Sequence, residues 1–124
     1  MKITITPNSP LAIYEQIVNQ IKDAAIAREI VPGEAMPSIR NLAKDLGVSV
    51  ITTKRAYEEL EKEGLLQSVA GKGFYVCDMN REILKEKQTV MIEEHFSQVV
   101  EEARSAGLTL EDIITLVNVL YSGE

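Results

Sequence analysis

A three-residue segment, Gly47-Val48-Ser49, constrains the fold more than any other part of the sequence, because helical periodicity flanks it on both sides. The apolar residues before it recur at intervals of three and four, as on one face of a helix: Ile39, Leu42, Ala43 and Leu46. Ser38 suits the N-cap of this helix, and Gly47 suits its end, because glycine readily adopts the left-handed conformation that closes many helices. The pattern predicts a helix over about residues 38–46.

Propensity and periodicity disagree about the residues that follow. Five of the six residues from Val48 to Thr53 are β-branched, which favours a strand. With Ser49 as an N-cap, however, an apolar stripe at helical spacing is complete: Thr53, Ala56, Tyr57 and Leu60. A strand would leave neither face clearly polar, so the helical period decides. We predict a second helix over about residues 49–63, which makes Gly47-Val48-Ser49 a turn between two helices.

The rest of the N-terminal part predicts a mainly helical fold with one β-hairpin. Residues 1–10 are expected to form a short extended arm, and a helical pattern runs over about residues 11–28. Residues 65–69 and 73–77 are typical of two short strands, joined by a turn with a basic tip at Lys72.

The C-terminal part is predicted to consist of two helices. A long amphipathic helix ends at Gly107, and a shorter helix begins with Thr109 as its N-cap. The expected fold is mainly α with a small β-hairpin wing. Its expected domains are residues 1–77 (arm 1–10, helix-turn-helix about 38–63, wing about 65–77) and a helical dimerisation region, residues 78–124.

Charge separates these two regions. Residues 1–77 hold nine Lys/Arg and nine Asp/Glu, whereas residues 78–124 carry the whole net charge of −6. An acidic surface repels a polyanion, so only the first region is suited to nucleic acid. The single cysteine, Cys77, cannot form an internal disulfide, and the N-terminus has no apolar signal segment. We therefore expect a cytoplasmic protein that does not enter a membrane.

A helix-turn-helix followed at once by a hairpin with a glycine-flanked basic tip is the element order of a winged helix. The N-terminal end of the second helix in such folds enters the major groove of DNA. The side chains near that end that lie off the buried stripe are Val50, Ile51, Thr52, Lys54 and Arg55. Arg40 lies off the stripe of the preceding helix, where it can reach a phosphate or a guanine edge. Lys72 can reach a flanking phosphate.

The segment PGEAMPSIRNLAKDLGVSVITTKRAYEELEKEGLLQSVAGKGFYV resembles the DNA-binding domain of GntR-family bacterial transcription regulators. Their pattern runs PG…LPS.R.LA..LGVS..TV..A...LE.EGL……GKG.(F/Y)V. The resemblance covers about residues 10–77 and implies a winged helix-turn-helix that binds operator DNA as a homodimer. It places DNA contacts on Arg40, Thr52, Lys54, Gly71 and Lys72. Many members carry arginine where this chain has Val50.

The C-terminal region of about 47 residues is similar to that of the small YtrA-like subfamily, whose members are often linked to the control of transporter operons. The apolar residues of its long helix are spread too widely around that helix for one short partner helix to cover, which indicates an interface between two copies. The expected interface residues are Leu84, Met91, Phe96, Val99, Leu116 and Leu120. The full expected DNA-contacting set is Ser38, Arg40, Ser49, Val50, Thr52, Lys54, Arg55, Gly71, Lys72 and Gly73.

Three alternatives stay open at the level of sequence. Ile51 could pack against the preceding helix instead of facing a groove, and Arg55 could pair with Glu58 or Glu59 along its own helix. Winged helices also serve as protein-interaction modules, and a domain with zero net charge is compatible with that role. The salt dependence of binding to random-sequence duplex DNA separates a DNA-binding protein from such a module.

Enzyme and metal-protein classes find no support in the sequence. It has no nucleophile–base pair, and its Gly71-Lys72-Gly73 turn lacks the strand–loop–helix context of a phosphate-binding loop. His95 has no second histidine or cysteine at metal-ligand spacing. We expect no catalytic residue, no metal and no cofactor. The expected partners are double-stranded operator DNA and a second copy of the chain, and nothing in the sequence identifies a small-molecule effector.

Overall fold

The computed structural model of the chain describes residues 1–123. Within them it contains five helices and one two-stranded antiparallel sheet. They are α1 (Ile13–Ile26), α2 (Ile39–Leu46), α3 (Val50–Lys62), β1 (Leu66–Val69), β2 (Gly73–Val76), α4 (Arg81–Ser105) and α5 (Leu110–Ser122). The predicted mainly helical fold with a hairpin is confirmed. Glu124, the last residue of the expected dimerisation region, lies outside the described residues.

The turn between α2 and α3 forms because both of its ends are capped. Gly47 closes α2 in the left-handed region, with φ of 69°. The Ser49 side chain then accepts a hydrogen bond from the Thr52 N–H at 3.0 Å, which caps the start of α3. Ser38 caps α2 in the same way through the Asn41 N–H at 3.1 Å. The β-branched first turn of α3 is therefore helical, as the periodicity predicts.

Tyr57 of α3 lies at the centre of the core, fully buried. The helices α1 and α2 both pack against α3, and strand β1 also packs against α3. The large side chains that are completely buried come from α1, α3 and β1: Ile17, Ile21, Thr53, Tyr57, Leu60 and Leu66. This packing supports α3, whose first turn consists of β-branched residues that form helices less readily.

The wing is a tight hairpin in which Leu66 pairs with Val76 and Val69 with Gly73. A third backbone segment, residues 33–36, joins its outer edge. The Gly33 N–H donates to the Val76 carbonyl at 2.8 Å, and the Met36 N–H donates to the Phe74 carbonyl at 2.9 Å. The sequence pattern did not predict this pairing, because the segment is short and follows a proline.

The predicted N-terminal arm is held against α1 by two glutamine side chains. The Gln16 amide accepts from the Thr6 N–H at 2.8 Å and donates to the Thr6 carbonyl at 3.1 Å. Gln20 makes the same pair of bonds with Thr4, at 2.9 and 2.7 Å. Gln16 and Gln20 are four helical residues apart, a rise of about 6 Å. Thr4 and Thr6 are two extended residues apart, a span of about 6.6 Å. The spacing of the two glutamines therefore matches that of alternate residues in the arm. The arm residues that alternate with these threonines, Ile3 and Ile5, pack against the core.

The chain divides into two compact units, Met1–Lys85 and the part from Glu86 onward. The division falls within α4, later than the expected domain limit after Cys77. The reason is that Met79 and Leu84 pack against the core of the first unit. Leu84, which the sequence predicts at a dimer interface, therefore has packing partners within its own chain.

The second unit exposes many large apolar side chains. In α4 these include Phe96 and Val99, and α5 exposes apolar residues on several sides: Leu110, Ile114, Leu116, Val117, Val119, Leu120 and Tyr121. Among the described residues, α5 packs extensively along no other helix or strand. Over the same part of the chain, the helices are too short or too polar to cross a membrane.

Candidate nucleic-acid interface

The start of α3 presents a capped and exposed first turn. The Ser49 hydroxyl donates to Thr52 Oγ1 at 2.8 Å while it accepts from the Thr52 N–H, so the two side chains hold each other. The Thr53 hydroxyl points inward and donates to the Ser49 carbonyl at 3.1 Å. Helix geometry leaves the N–H groups of Val50 and Ile51 without an acceptor inside the helix. This end of α3 can therefore receive a negatively charged group.

Two aliphatic side chains lie on this turn in solvent. Val50 is 47% exposed and Ile51 is 81% exposed. The alternative that Ile51 packs against α2 is therefore wrong for this structure. Exposed aliphatic groups cost free energy in water, and in a DNA groove they can contact the methyl group of thymine.

Four of the predicted contact residues are exposed cations: Arg40 on α2, Lys54 and Arg55 on α3, and Lys72 on the wing. Charge changes sign along α3 itself. Its first half carries Lys54 and Arg55, whereas acidic residues dominate the second half, at positions 58, 59 and 61. The N-terminal end of α3 is therefore the part that a polyanion can approach, and the favourable end of the helix dipole lies there too.

Arg55 is the one of these cations with a clear partner in the fold. Its guanidinium carbon lies 3.8 Å from the centroid of the Tyr14 ring, a cation–π contact between α3 and α1. The alternative pairing with a glutamate of α3 is not the observed arrangement. Glu59 instead approaches Lys62, at 3.9 Å.

The wing presents Lys72 at its tip. The Lys72 N–H donates to the Val69 carbonyl at 2.9 Å, which closes the turn. Gly71 and Gly73 on either side have φ of 76° and 101°, values that residues with a side chain rarely adopt. The predicted glycine-flanked basic tip is therefore present, and the two glycines shape it.

Glu61 fastens the wing to α3. Its Oε2 accepts from the Ser68 hydroxyl at 2.7 Å and from the Ser68 N–H at 3.1 Å. These two donors lower the pKa of the Glu61 carboxyl below its usual value. Glu61 and Tyr14 could not be predicted from the sequence as residues that support the site, because each acts through a tertiary contact that no local pattern signals.

The other predicted site residues lie where the pattern placed them. Ser38 and Ser49 are exposed N-caps, and Thr52 is half-buried beside Ser49. Within residues 1–123, no cluster of three or more His, Cys, Asp or Glu side chains is arranged to hold a metal ion. A helix-turn-helix with an exposed, basic N-terminal end on its second helix, followed by a wing, defines a winged-helix DNA-binding protein.

Residues 13–76 match the family described as bacterial regulatory proteins, gntR family. The chain belongs to this family, and it is a DNA-binding transcription regulator rather than an enzyme. The resemblance inferred from the sequence is confirmed.

Similar proteins agree with this assignment. The chain is 36% identical over 111 residues to the transcriptional repressor YtrA of Bacillus subtilis (strain 168), covering 90% of this chain and 85% of YtrA. The structure resembles that of a transcriptional antiterminator from Listeria monocytogenes EGD-e, with a TM-score of 0.71, 30% identity, and coverage of 98% of this chain and 90% of the other. It also resembles the DNA-binding domain of AraR in complex with operator ORX1, with a TM-score of 0.54, 32% identity, and coverage of 59% and 90%.

Proposed function

We propose that the chain is a cytoplasmic transcription repressor that binds a palindromic operator as a homodimer and controls transporter genes. The observation that carries the proposal is the first turn of α3, where Val50 and Ile51 are exposed beside Lys54. Aliphatic side chains on the N-terminal end of a packed helix can contact base edges in a major groove, and a cation beside them can contact the phosphates along it.

Each element of the first unit has a role in this proposal. The α3 residues Val50, Thr52 and Lys54 face base edges and the adjoining backbone. Arg40, from the first turn of α2, reaches either a phosphate or a guanine edge, and Lys72 on the wing reaches a flanking phosphate. The Ser38 and Ser49 caps fix the starts of α2 and α3, whose free N–H groups can receive a phosphate of the DNA backbone.

The second unit supplies the partner surface, and its occupant is a second copy of the chain. A helix that exposes apolar residues on several sides is stable in water only when other helices cover them, and α5 exposes such residues. A self-complementary apolar patch on identical chains favours a two-fold dimer. The proposed interface comprises Met91, Phe96, Val99, Leu116 and Leu120, and we leave out Leu84 because it packs within the first unit.

The assignment as a repressor rests on similarity to YtrA, which is named a transcriptional repressor and which the chain matches over most of both lengths. The assignment to transporter genes rests on the YtrA-like subfamily as a group. A two-fold dimer presents two copies of α3 to the two halves of one site. The operator is then an inverted repeat, with half-site centres about one helical turn, roughly 34 Å, apart.

Selection of bound sites from a random DNA pool tests this proposal. The expected result is an inverted repeat with that spacing, bound with an affinity that falls steeply as salt rises. A winged-helix module for protein interaction predicts no enrichment and no salt-dependent binding. Enrichment of single, unrepeated half-sites would contradict the homodimer while leaving DNA binding in place.

A further inference from the structure

Tyr14 and Arg55 form a stacked pair between α1 and α3, which pack against each other in the first unit. The guanidinium carbon of Arg55 lies 3.8 Å from the Tyr14 ring centroid. Tyr14, the second residue of α1, is half-buried, whereas Arg55, in the second turn of α3, is exposed. The ring is therefore fixed by the fold, and the arginine rests on it.

This contact leaves Arg55 able to bind an anion. A guanidinium stacks through its flat face, while its five N–H donors point outward from its edge. An ion pair with a glutamate of α3 would occupy those donors and cancel the charge. Stacking on Tyr14 restricts the rotation of the long side chain and keeps both the donors and the charge available.

The position of the pair around α3 indicates what Arg55 binds. Successive residues of a helix are about 100° apart, so Arg55 is displaced by that angle from Lys54. Because the stack also draws it toward α1, Arg55 lies on the flank of α3 and not beside the groove-facing Val50. A cation on the flank of a recognition helix meets the sugar-phosphate backbone at the wall of the groove.

We propose that Tyr14 is a positioning residue that holds the Arg55 guanidinium for one phosphate of the operator, on the side of the groove that α1 approaches. The inference rests on the proposed function, since it specifies how one residue of that site is presented. It also assigns Arg55, which the sequence left open between base and phosphate, to the backbone. Tyr14 acts through Arg55 and adds no sequence preference of its own.

A double-mutant cycle on the full chain tests the pair, with the operator fragment obtained from the random pool. Tyr14→Leu removes the ring face and should weaken operator binding roughly two- to fivefold, the fold-change that corresponds to an exposed cation–π contact. Tyr14→Phe keeps the ring face and should bind like the wild type. Arg55→Ala should weaken binding equally on all sequences and lower the salt slope by about one. In the Arg55→Ala background, Tyr14→Leu should have no further effect on binding.

Three controls keep the outcome decisive. Lys62→Ala removes another exposed cation of α3, far from its N-terminal end, and should leave operator binding unchanged. Arg55→Lys leaves α1 intact and keeps the charge, so it should weaken binding without changing the salt slope. Melting curves of all variants show whether each one is folded at the temperature of the binding assay.

The proposal is overturned if Tyr14→Leu weakens binding equally with and without Arg55, because Tyr14 then acts independently. It is also overturned if Arg55→Ala changes the preference at a single base pair, because Arg55 then reads a base. If the wild type does not bind the operator at all, the proposed function itself is contradicted. The wild-type titration shows this before any variant is compared.

Discussion

The Tyr57 hydroxyl donates a 2.7 Å hydrogen bond to the carbonyl of Pro37, twenty positions earlier in the chain and just before the N-cap of α2. This bond ties the middle of α3 to the start of α2. The Tyr57 ring also meets Phe74 of the wing edge-on, with ring centroids 5.1 Å apart. One buried side chain therefore connects the three elements that the DNA-binding proposal uses.

Tyr57→Phe should lower the free energy of unfolding by about 1–3 kcal/mol, because it leaves the Pro37 carbonyl without its donor while the ring packing stays. Burial raises the pKa of the Tyr57 hydroxyl above its usual value, so this donor is neutral throughout the physiological range. Urea denaturation measures the change. Tyr121→Phe is the matched control, since Tyr121 is 94% exposed, and it should have no effect. An equal loss in both variants would show that the buried bond contributes nothing.

The arm of residues 1–10 should detach when its glutamine partners are removed. Gln16→Leu takes away three hydrogen bonds, to the Thr6 N–H and to the carbonyls of Thr6 and Leu11, and should destabilise the first unit by about 1–3 kcal/mol. Hydrogen exchange should then quicken at the Thr6 amide. Gln98→Leu changes an exposed glutamine of α4 and serves as the control. Unaltered exchange at Thr6 in the folded Gln16→Leu variant would show that the Gln16 side chain does not hold the arm against α1.

The Glu61–Ser68 contact should make stability depend on pH in the acid range. Because the folded-state pKa of Glu61 is lowered from its usual 4.5, the contact stabilises the fold fully above the unfolded pKa. That stability is lost as the pH falls through the lowered folded-state pKa. Glu61→Gln should therefore be less stable than the wild type at pH 7, and the difference should shrink toward pH 3.

Urea denaturation at both pH values measures this difference. Glu58→Gln, which removes another exposed carboxyl group from the same helix, is the control measured at the same two pH values. A Glu61→Gln difference that is the same at pH 7 and pH 3 would show that the carboxylate charge has no part in fastening the wing.

The local features of this fold could be predicted from the sequence, and the tertiary contacts could not. Ser38, Gly47 and Ser49 set the ends of α2 and α3 through bonds to residues within a few positions, so the capping pattern placed both helices within a residue of their observed bounds. The Tyr14–Arg55 stack joins residues 41 positions apart, and its formation depends on how α1 packs on α3. No periodicity records such a pairing.

Leu84 illustrates the same limit for the C-terminal region. Its spacing on α4 is compatible with an interface, and only the packing of the first turn of α4 shows that it lies against the core of its own unit. The surplus of apolar residues on α4, in contrast, could be predicted from the sequence, because they are spread too widely around the helix for one short neighbour to cover. Phe96 and Val99 of α4 are exposed accordingly.

Dimerisation should depend on α5. Leu116→Glu combined with Leu120→Glu places two charges in the proposed apolar interface and should convert the protein to monomers at micromolar concentration. Light scattering measures the mass. Asn118→Glu adds a charge to the same helix at a polar position and should remain dimeric if that position faces solvent. The monomeric variant should keep its folded first unit but bind the operator much more weakly, because two half-site contacts no longer act together. A wild type that is monomeric at these concentrations would refute the dimer.

Val50 should decide the base preference at one position of each half-site. It is half-exposed at the first position of α3, where the family resemblance leads us to expect arginine in place of valine. An arginine fork reads guanine, whereas a valine methyl group favours contact with the methyl group of thymine. The operator should therefore prefer A·T at that position, and Val50→Arg should move the preference toward G·C by about 1–3 kcal/mol. Because Val50 points into solvent, the variant should melt like the wild type.

A base-by-base binding profile of wild type and Val50→Arg measures the shift. Glu58→Gln removes one negative charge about one helical turn beyond Lys54, a change of the same single unit that adds no guanidinium at the groove, so it should strengthen binding to all sequences alike. A folded Val50→Arg variant with the wild-type profile at every base pair would show that Val50 does not face the bases. If Val50→Arg changes only the overall affinity, as expected for Glu58→Gln, the new charge contacts the DNA backbone. The valine side chain then contributes to the shape of the surface but not to base preference.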